Sequence, residues 1–204
     1  MKALTKEPLN VIIGGVGGQG NVLMAFLLGG ALVTKGFSAG VCDTYGTSQR
    51  GGPVASHVRI SKKRQYGPLI SSGHADVILA LEPVEALRLL YQFGSQDTVV
   101  ITNSRPVYPS DVSSGKATYP EMDELLQAIR KFSAKLTVVD ATDEALKMGG
   151  SIFTNIVMLG TLIGADLLPV DRESIAEQLA ERFHGAVLDN NVEALDRGIE
   201  LVRQ

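Results

Sequence analysis

The 204-residue chain is 45% hydrophobic and 20% charged with a formal net charge of -3, a composition that can bury one sizeable core and gives no electrostatic case for nucleic acid or an anionic membrane. Its longest apolar region, Val22 to Val33, is broken by Gly29 and Gly30 and falls short of the roughly 18 to 20 residues that span a bilayer. Cys42 is the one cysteine, which excludes an internal disulfide and any self-contained iron–sulfur or cysteine-rich zinc site.

The opening "MKALTKEPLN" lacks the basic start, apolar stretch and small-residue cleavage site of a signal peptide, so a cytoplasmic chain is expected. "LNVIIGG" reads as a buried strand, "GVGGQG" as a tight loop and "NVLMAFLLGGALVTKG" as a helix closing at Gly36. "FSAGVCDTYG" reads as a second strand, and the intervening helix suits a right-handed parallel crossover from the first. "PVASHVRIS" alternates, with Val54, Val58 and Ile60 on one face and His57 and Arg59 on the other, which predicts a half-buried strand in an antiparallel pair or at an edge.

"ADVILALE" is a further buried strand, and "PVEALRLLYQFG" a helix opened by Pro83 and ended by Gly94. "DTVVITNS" (strand), "RPVYPSDVSSGKATYP" (proline- and serine-rich loop), "EMDELLQAIRKF" (amphipathic helix) and "KLTVVDAT" (strand) follow. From Ala141 the chain reads as helical to its end, through "DEALKMGG", "IFTNIVMLGTLIGA", "DRESIAEQLAERF" and "DNNVEALDRGIELV". The predicted fold is α/β, a Rossmann-like three-layer architecture with a mostly parallel sheet and a helical C-terminal third. With no internal repeat, low-complexity tract or linker, residues 1–204 form a single expected domain.

Two glycine-rich loops could carry function. Gly15, Gly17 and Gly20 have the spacing of a dinucleotide fingerprint between strand and helix, where backbone amides at a helix N-terminus can meet phosphate. Gly18 and Gln19 complete that loop, and Asp43, at the end of the second strand, is near where an acid would hold a ribose. The alternative is structural: the glycines let the helix start close against the sheet and Asp43 caps a turn. The second loop sets Tyr45, Thr47, Ser48, Gln49 and Arg50 among Gly46, Gly51 and Gly52, also at a strand end, so the two should shape one crevice. Arg50 could clamp a carboxylate or phosphate, or pair at a subunit surface. His57 and His74 have no metal-ligand spacing, no serine sits in a nucleophile elbow, and Asn155 fits an internal hydrogen-bonding role, so no metal site and no catalytic acid or base is assigned.

In this order, "GVGGQG" and "TYGTSQRGGPVASHVRI", with "ADVILALEPVEALR", "NIVMLG" and "NNVEALDRG" behind them, resemble the γ-type domain of the 2-oxoacid:ferredoxin oxidoreductases, the pyruvate/ketoisovalerate oxidoreductase family. Because the chain consists of this domain alone, it is most similar to the small-subunit branch that serves indolepyruvate. The resemblance implies CoA-dependent oxidative decarboxylation of a 2-oxo acid to an acyl-CoA, CO2 and reduced ferredoxin. It also implies that thiamine diphosphate and [4Fe-4S] clusters sit on a larger partner subunit, with none on this chain. CoA would be the co-substrate, ferredoxin an indirect partner, and the assembly a hetero-oligomer with the glycine loops facing the partner or the CoA region. The rival readings are a stand-alone NAD(P)-binding oxidoreductase using Asp43 and a non-enzymatic nucleotide- or acyl-CoA-sensing module.

Overall fold

A computed structural model describes residues 4–46 and 52–203. Its elements in chain order are β1 (Leu9–Val16), α1 (Asn21–Thr34), β2 (Ser38–Tyr45), β3 (Pro53–Ser61), β4 (Val77–Ala80), α2 (Pro83–Phe93), β5 (Val99–Asn103), α3 (Ser110–Ser113), α4 (Met122–Phe132), β6 (Lys135–Val139), α5 (Ala141–Lys147), a 3-10 turn (Ser151–Phe153), α6 (Thr154–Gly164), α7 (Arg172–Arg182) and α8 (Gly185–Glu200). The six strands form one sheet in the order β2-β3-β1-β4-β5-β6. Strands β1, β4, β5 and β6 pair in parallel, and β3 runs antiparallel to both of its neighbours.

Alternation along the strands divides the interior into two cores. On one face Leu9, Val11, Ile13, Leu79 and Ile101 pack with the apolar sides of α1, α6, α7 and α8. On the other, Ile12, Ile78 and Val100 pack with Leu89, Phe93, Leu125 and Ile129 from α2 and α4. This is the predicted three-layer α/β fold.

Helix ends are set by side chains. Glu82 caps α2 by accepting the Glu85 amide at 2.9 Å, with Pro83 at the first turn. Asp171 and Ser174 form a capping box on α7. The helix α6 lies against α8 closely enough that a Cβ on Gly198 would fall 1.9 Å from the Val157 carbonyl oxygen.

Two expectations are corrected. The strand β2 does run in the same direction as β1, but β3 is inserted between them, so the first crossover skips one strand position. Strand β3 is accordingly neither an edge nor half-buried. His57, on its supposed polar face, is 1% exposed, because α2 covers that face: the imidazole stands edge-on to Phe93 at 5.0 Å, and its Nδ1 accepts the Ile70 amide at 3.3 Å. The proline- and serine-rich loop also contains one short helix, α3.

Candidate functional site: a cleft at the carboxyl end of the sheet

The carboxyl ends of β1, β4, β5 and β6 open onto one cleft of about 640 Å³, the place where α/β sheets bind ligands. Gly18, Gln19 and Gly20 from the first glycine loop line it. So do Leu81 after β4, Asn103 at the end of β5, Thr142 on α5, and Thr154 and Asn155 at the start of α6.

The loop is shaped by its own residues. Gln19 folds back so that its Oε1 accepts the Val16 amide at 2.7 Å and its Nε2 donates to the Leu81 carbonyl at 3.3 Å. A Cβ on Gly15 would lie 2.5 Å from that same Oε1 and 3.1 Å from Asn21 Oδ1, so glycine lets the side chain close over the strand end. Gly20 has φ of 91°, and a Cβ there would meet Asn155 Nδ2 at 2.3 Å. Glycine is therefore demanded twice at this position, by backbone conformation and by the approach of α6.

Asn103 organises the floor. Buried at the strand end, it donates to the Leu81 carbonyl at 3.3 Å and to Thr142 Oγ1 at 2.9 Å, and accepts the Thr142 amide at 3.3 Å. Asn21 Oδ1 and Thr154 Oγ1, in the first turns of α1 and α6, are buried without a hydrogen-bond partner among the described residues. The rim is different in character: Ile152 is 80% exposed, Leu146 48% and Val107 36%. Arg105, also on the rim, stands 3.6 Å from Asp143 and is the only titratable side chain lining the cleft among the described residues.

The two glycine loops do meet, since the Gly17 amide donates to the Gly52 carbonyl at 2.8 Å. Their openings differ, however. Tyr45 and Gly46 line a separate shallow groove with Arg88, Gln92 and Phe93 on the α2 side of the sheet. Thr47, Ser48, Gln49, Arg50 and Gly51 lie outside the described residues.

A third concavity, about 610 Å³, lies between the start of α2 and the segment 107–120. The buried Glu82 carboxylate holds that segment by accepting the Tyr119 hydroxyl and, at 3.4 Å, the Val107 amide. Burial, reinforced by that bond, pushes the Tyr119 hydroxyl pKa well above its usual value. Burial likewise raises the Glu85 carboxyl, against the opposing pull of Arg88 at 2.5 Å.

Asp43 is not at the first glycine loop. It accepts the Ser56 hydroxyl at 2.5 Å across the β2–β3 pair, and the inserted β3 sets it two strand spacings from β1, roughly 10 Å. A ribose on the first loop would find no acid there. Asn103 and Thr142 drew no attention in the sequence, because an asparagine and a threonine at strand and helix ends are ordinary turn residues. Their shared network is visible only once β5 and β6 are paired.

A family model described as pyruvate ferredoxin/flavodoxin oxidoreductase matches residues 10–201. The indolepyruvate oxidoreductase subunit IorB of Archaeoglobus fulgidus is 39% identical over 190 residues, 93% of each chain. The pyruvate/ketoisovalerate oxidoreductases common subunit gamma of Thermococcus kodakarensis is 29% identical over 89% of this chain and 90% of its own. Among solved structures, the pyruvate oxidoreductase subunit PORC of Thermotoga maritima superposes with a TM-score of 0.71 at 23% identity, covering 96% of this chain and 97% of its own. A 2-oxoglutarate:ferredoxin oxidoreductase chain from Magnetococcus marinus gives 0.75 at 21% identity, covering 97% of this chain and 31% of the larger one. With the paired glycine loops in place and the match running from β1 to the end of α8, this chain belongs to the pyruvate ferredoxin/flavodoxin oxidoreductase family.

Proposed function

We propose that this chain is the small subunit of an indolepyruvate:ferredoxin oxidoreductase, supporting CoA-dependent oxidative decarboxylation of the 2-oxo acid to an acyl-CoA, CO2 and reduced ferredoxin. The observation that carries this reading is the chemistry of the main cleft. Its described lining has backbone amides, carboxamides and hydroxyls, with Arg105 as its single ionisable group. Such a lining can bind and orient, but its described residues include no carboxylate, imidazole or thiol to act as acid, base or activator of a hydroxyl. The chemistry therefore belongs to groups that another chain brings.

In this reading thiamine diphosphate and [4Fe-4S] clusters belong to a larger partner subunit. One cysteine, Cys42 on β2, cannot ligate a cluster, so the residues present do not fit that cofactor. The exposed apolar rim at Ile152, Leu146 and Val107 suits coverage by that partner. The glycine loop and the first turns of α1 and α6 suit an anionic group such as those of CoA, and Thr154, which lines the cleft, has a buried hydroxyl without a partner among the described residues. The 39% identity to the Archaeoglobus subunit supports indolepyruvate over the other 2-oxo acids.

Co-expression with a thiamine- and cluster-bearing larger subunit of an indolepyruvate oxidoreductase tests the proposal. The expected result is a stable complex that reduces ferredoxin with indolepyruvate in a CoA-dependent manner, while the small chain alone is inactive. A well-folded monomer that binds NAD(P)H and forms no complex would overturn it.

A further inference from the structure

At the opposite end of the sheet from the cleft, β3 runs out into the sequence "RISKKRQYG", an exposed turn with no part in the site described above. Its backbone is held firmly. Ser61 Oγ accepts the amides of Lys63 and Arg64, both at 3.1 Å, and donates to the Glu7 carboxylate, which also accepts the Lys62 amide at 3.1 Å.

The cations on this turn are arranged by groups other than carboxylates. Arg59 donates to Asn10 Oδ1 at 3.1 Å and to the carbonyls of Gly67 and Leu69 at 2.9 and 3.2 Å. The guanidinium groups of Arg59 and Arg64 stand 5.1 and 4.5 Å from the centre of the Tyr66 ring. Lys62 lies 4.8 Å from the Phe37 ring and donates to the Gly36 carbonyl at 3.1 Å. Glu7 is an acidic group set beside them, its carboxyl pKa lowered by the Ser61 hydroxyl first and also by the field of Lys63. Every other ion pair among the described residues uses different cations. Lys62, Lys63 and Arg64 therefore project together, beside the half-buried Arg59, from a chain whose net charge is -3.

We propose that this basic turn, Arg59 to Tyr66, is the docking surface for a small acidic redox protein, the electron acceptor of the assembled enzyme. The assignment of an electron-accepting partner rests on the function proposed above; the choice of this surface rests on its own chemistry. Exposed lysines are depleted from the cores of permanent interfaces, and they suit small, charge-steered encounters that must release their product. On a chain of net charge -3, a local positive patch favours one orientation of an acidic carrier. The turn also lies about eight strand residues from the glycine loops, roughly 25 Å at 3.3 Å per residue, which keeps the carrier clear of the cleft. The described residues of this chain include no electron-carrying group, so the docking surface serves its role where the larger subunit's reducing centre also reaches this end of the sheet.

The test uses the assembled complex and the triple charge reversal Lys62→Glu, Lys63→Glu, Arg64→Glu, whose side chains are all exposed, with circular dichroism confirming the fold. The KM for an acidic ferredoxin at low ionic strength is expected to rise at least tenfold, while activity with a viologen dye stays within twofold. Raising salt should weaken ferredoxin use by the parent complex and leave the variant almost unaffected. The conservative exchange Lys62→Arg, Lys63→Arg, Arg64→Lys should behave like the parent. Direct titration of ferredoxin onto the complex gives the same comparison without turnover, so a complex inactive on indolepyruvate would count against the proposed function while binding still decided the docking surface. Unchanged ferredoxin affinity in the charge-reversed complex overturns the proposal, as does loss of binding to anionic vesicles or RNA with ferredoxin affinity intact.

Discussion

Gly20 is where backbone conformation and the packing of α6 are coupled, and replacing it by alanine separates the two. The residue sits at φ of 91°, immediately before α1. Holding an L-residue in a left-handed conformation costs about 1–2 kcal/mol. The new methyl would also stand 2.3 Å from Asn155 Nδ2 and 3.0 Å from its Cγ, forcing that side chain off its rotamer for about 0.5–1.5 kcal/mol. Against this, alanine restricts the unfolded chain and returns about 0.4–1 kcal/mol. The net expectation for Gly20→Ala is a loss of about 1–2.5 kcal/mol, a Tm lower by roughly 2–10 °C for a chain of this length. In the background Asn155→Ala the contacts to Nδ2 and Cγ are gone, a 3.3 Å approach to the Cβ and the backbone strain remain, so the same exchange should cost about 1 kcal/mol less there. Urea unfolding of the four proteins of this cycle measures both numbers. Additive effects within about 0.3 kcal/mol would refute the claim that the loop and α6 are sterically coupled.

Gly198→Ala should be more damaging than Gly20→Ala, because its methyl meets backbone, the Val157 carbonyl oxygen at 1.9 Å and Gly160 Cα at 2.8 Å, and α6 and α8 must part; overpacking of this kind costs about 1–3 kcal/mol or more, read as a fall in the urea midpoint. Burial lowers the His57 pKa, outweighing the opposing field of Asp43; its contribution is complete above the ordinary value of 6.5 and is lost as pH falls below it towards the folded value. The stability of the parent should therefore drop below pH 6.5 more steeply than that of His57→Gln, and equal slopes would rule the imidazole out as the source. Asp171, with the Lys35 ammonium first and Ser174 next in holding its pKa down to about 2, stabilises α7 above its ordinary value of 3.8 and loses that effect as pH falls through 2. Asp171→Ala should cost about 1 kcal/mol at pH 7, the usual worth of an N-cap, and thermal unfolding would show it.

The elements were legible in the sequence because each carries a local signal. Val11 to Ile13 and Val77 to Leu79 are short apolar runs with turns at both ends, and Pro83 and Gly94 bracket α2 where the structure has it. Strand order was less legible, since nothing local distinguishes a β2 beside β1 from a β2 one position away. The burial of His57 was hidden for the same reason: alternation in "PVASHVRIS" gives the two faces, and only the pairing of β3 on both sides, with α2 above it, shows that both are covered. In the cleft, the glycine pattern announced the loop, whereas Gln19 as its closing staple and Asn103 as its floor depend on contacts across 62 and 39 positions of chain.

The inserted antiparallel strand ties these features to function. Had β2 paired with β1 directly, Asp43 would stand beside the first glycine loop and the arrangement would suit a dinucleotide. With β3 between them, the turn from β2 into β3 returns to the same end of the sheet as the first loop, and the Gly17 amide closes onto the Gly52 carbonyl at 2.8 Å. Asp43 is meanwhile committed to Ser56. One topological change thus brings Gly52, at the start of β3, against the first loop and removes the group that would read a ribose. What is left is a hydrogen-bonding wall in which Arg105 is the one charged lining residue among those described, edged by an exposed apolar lip.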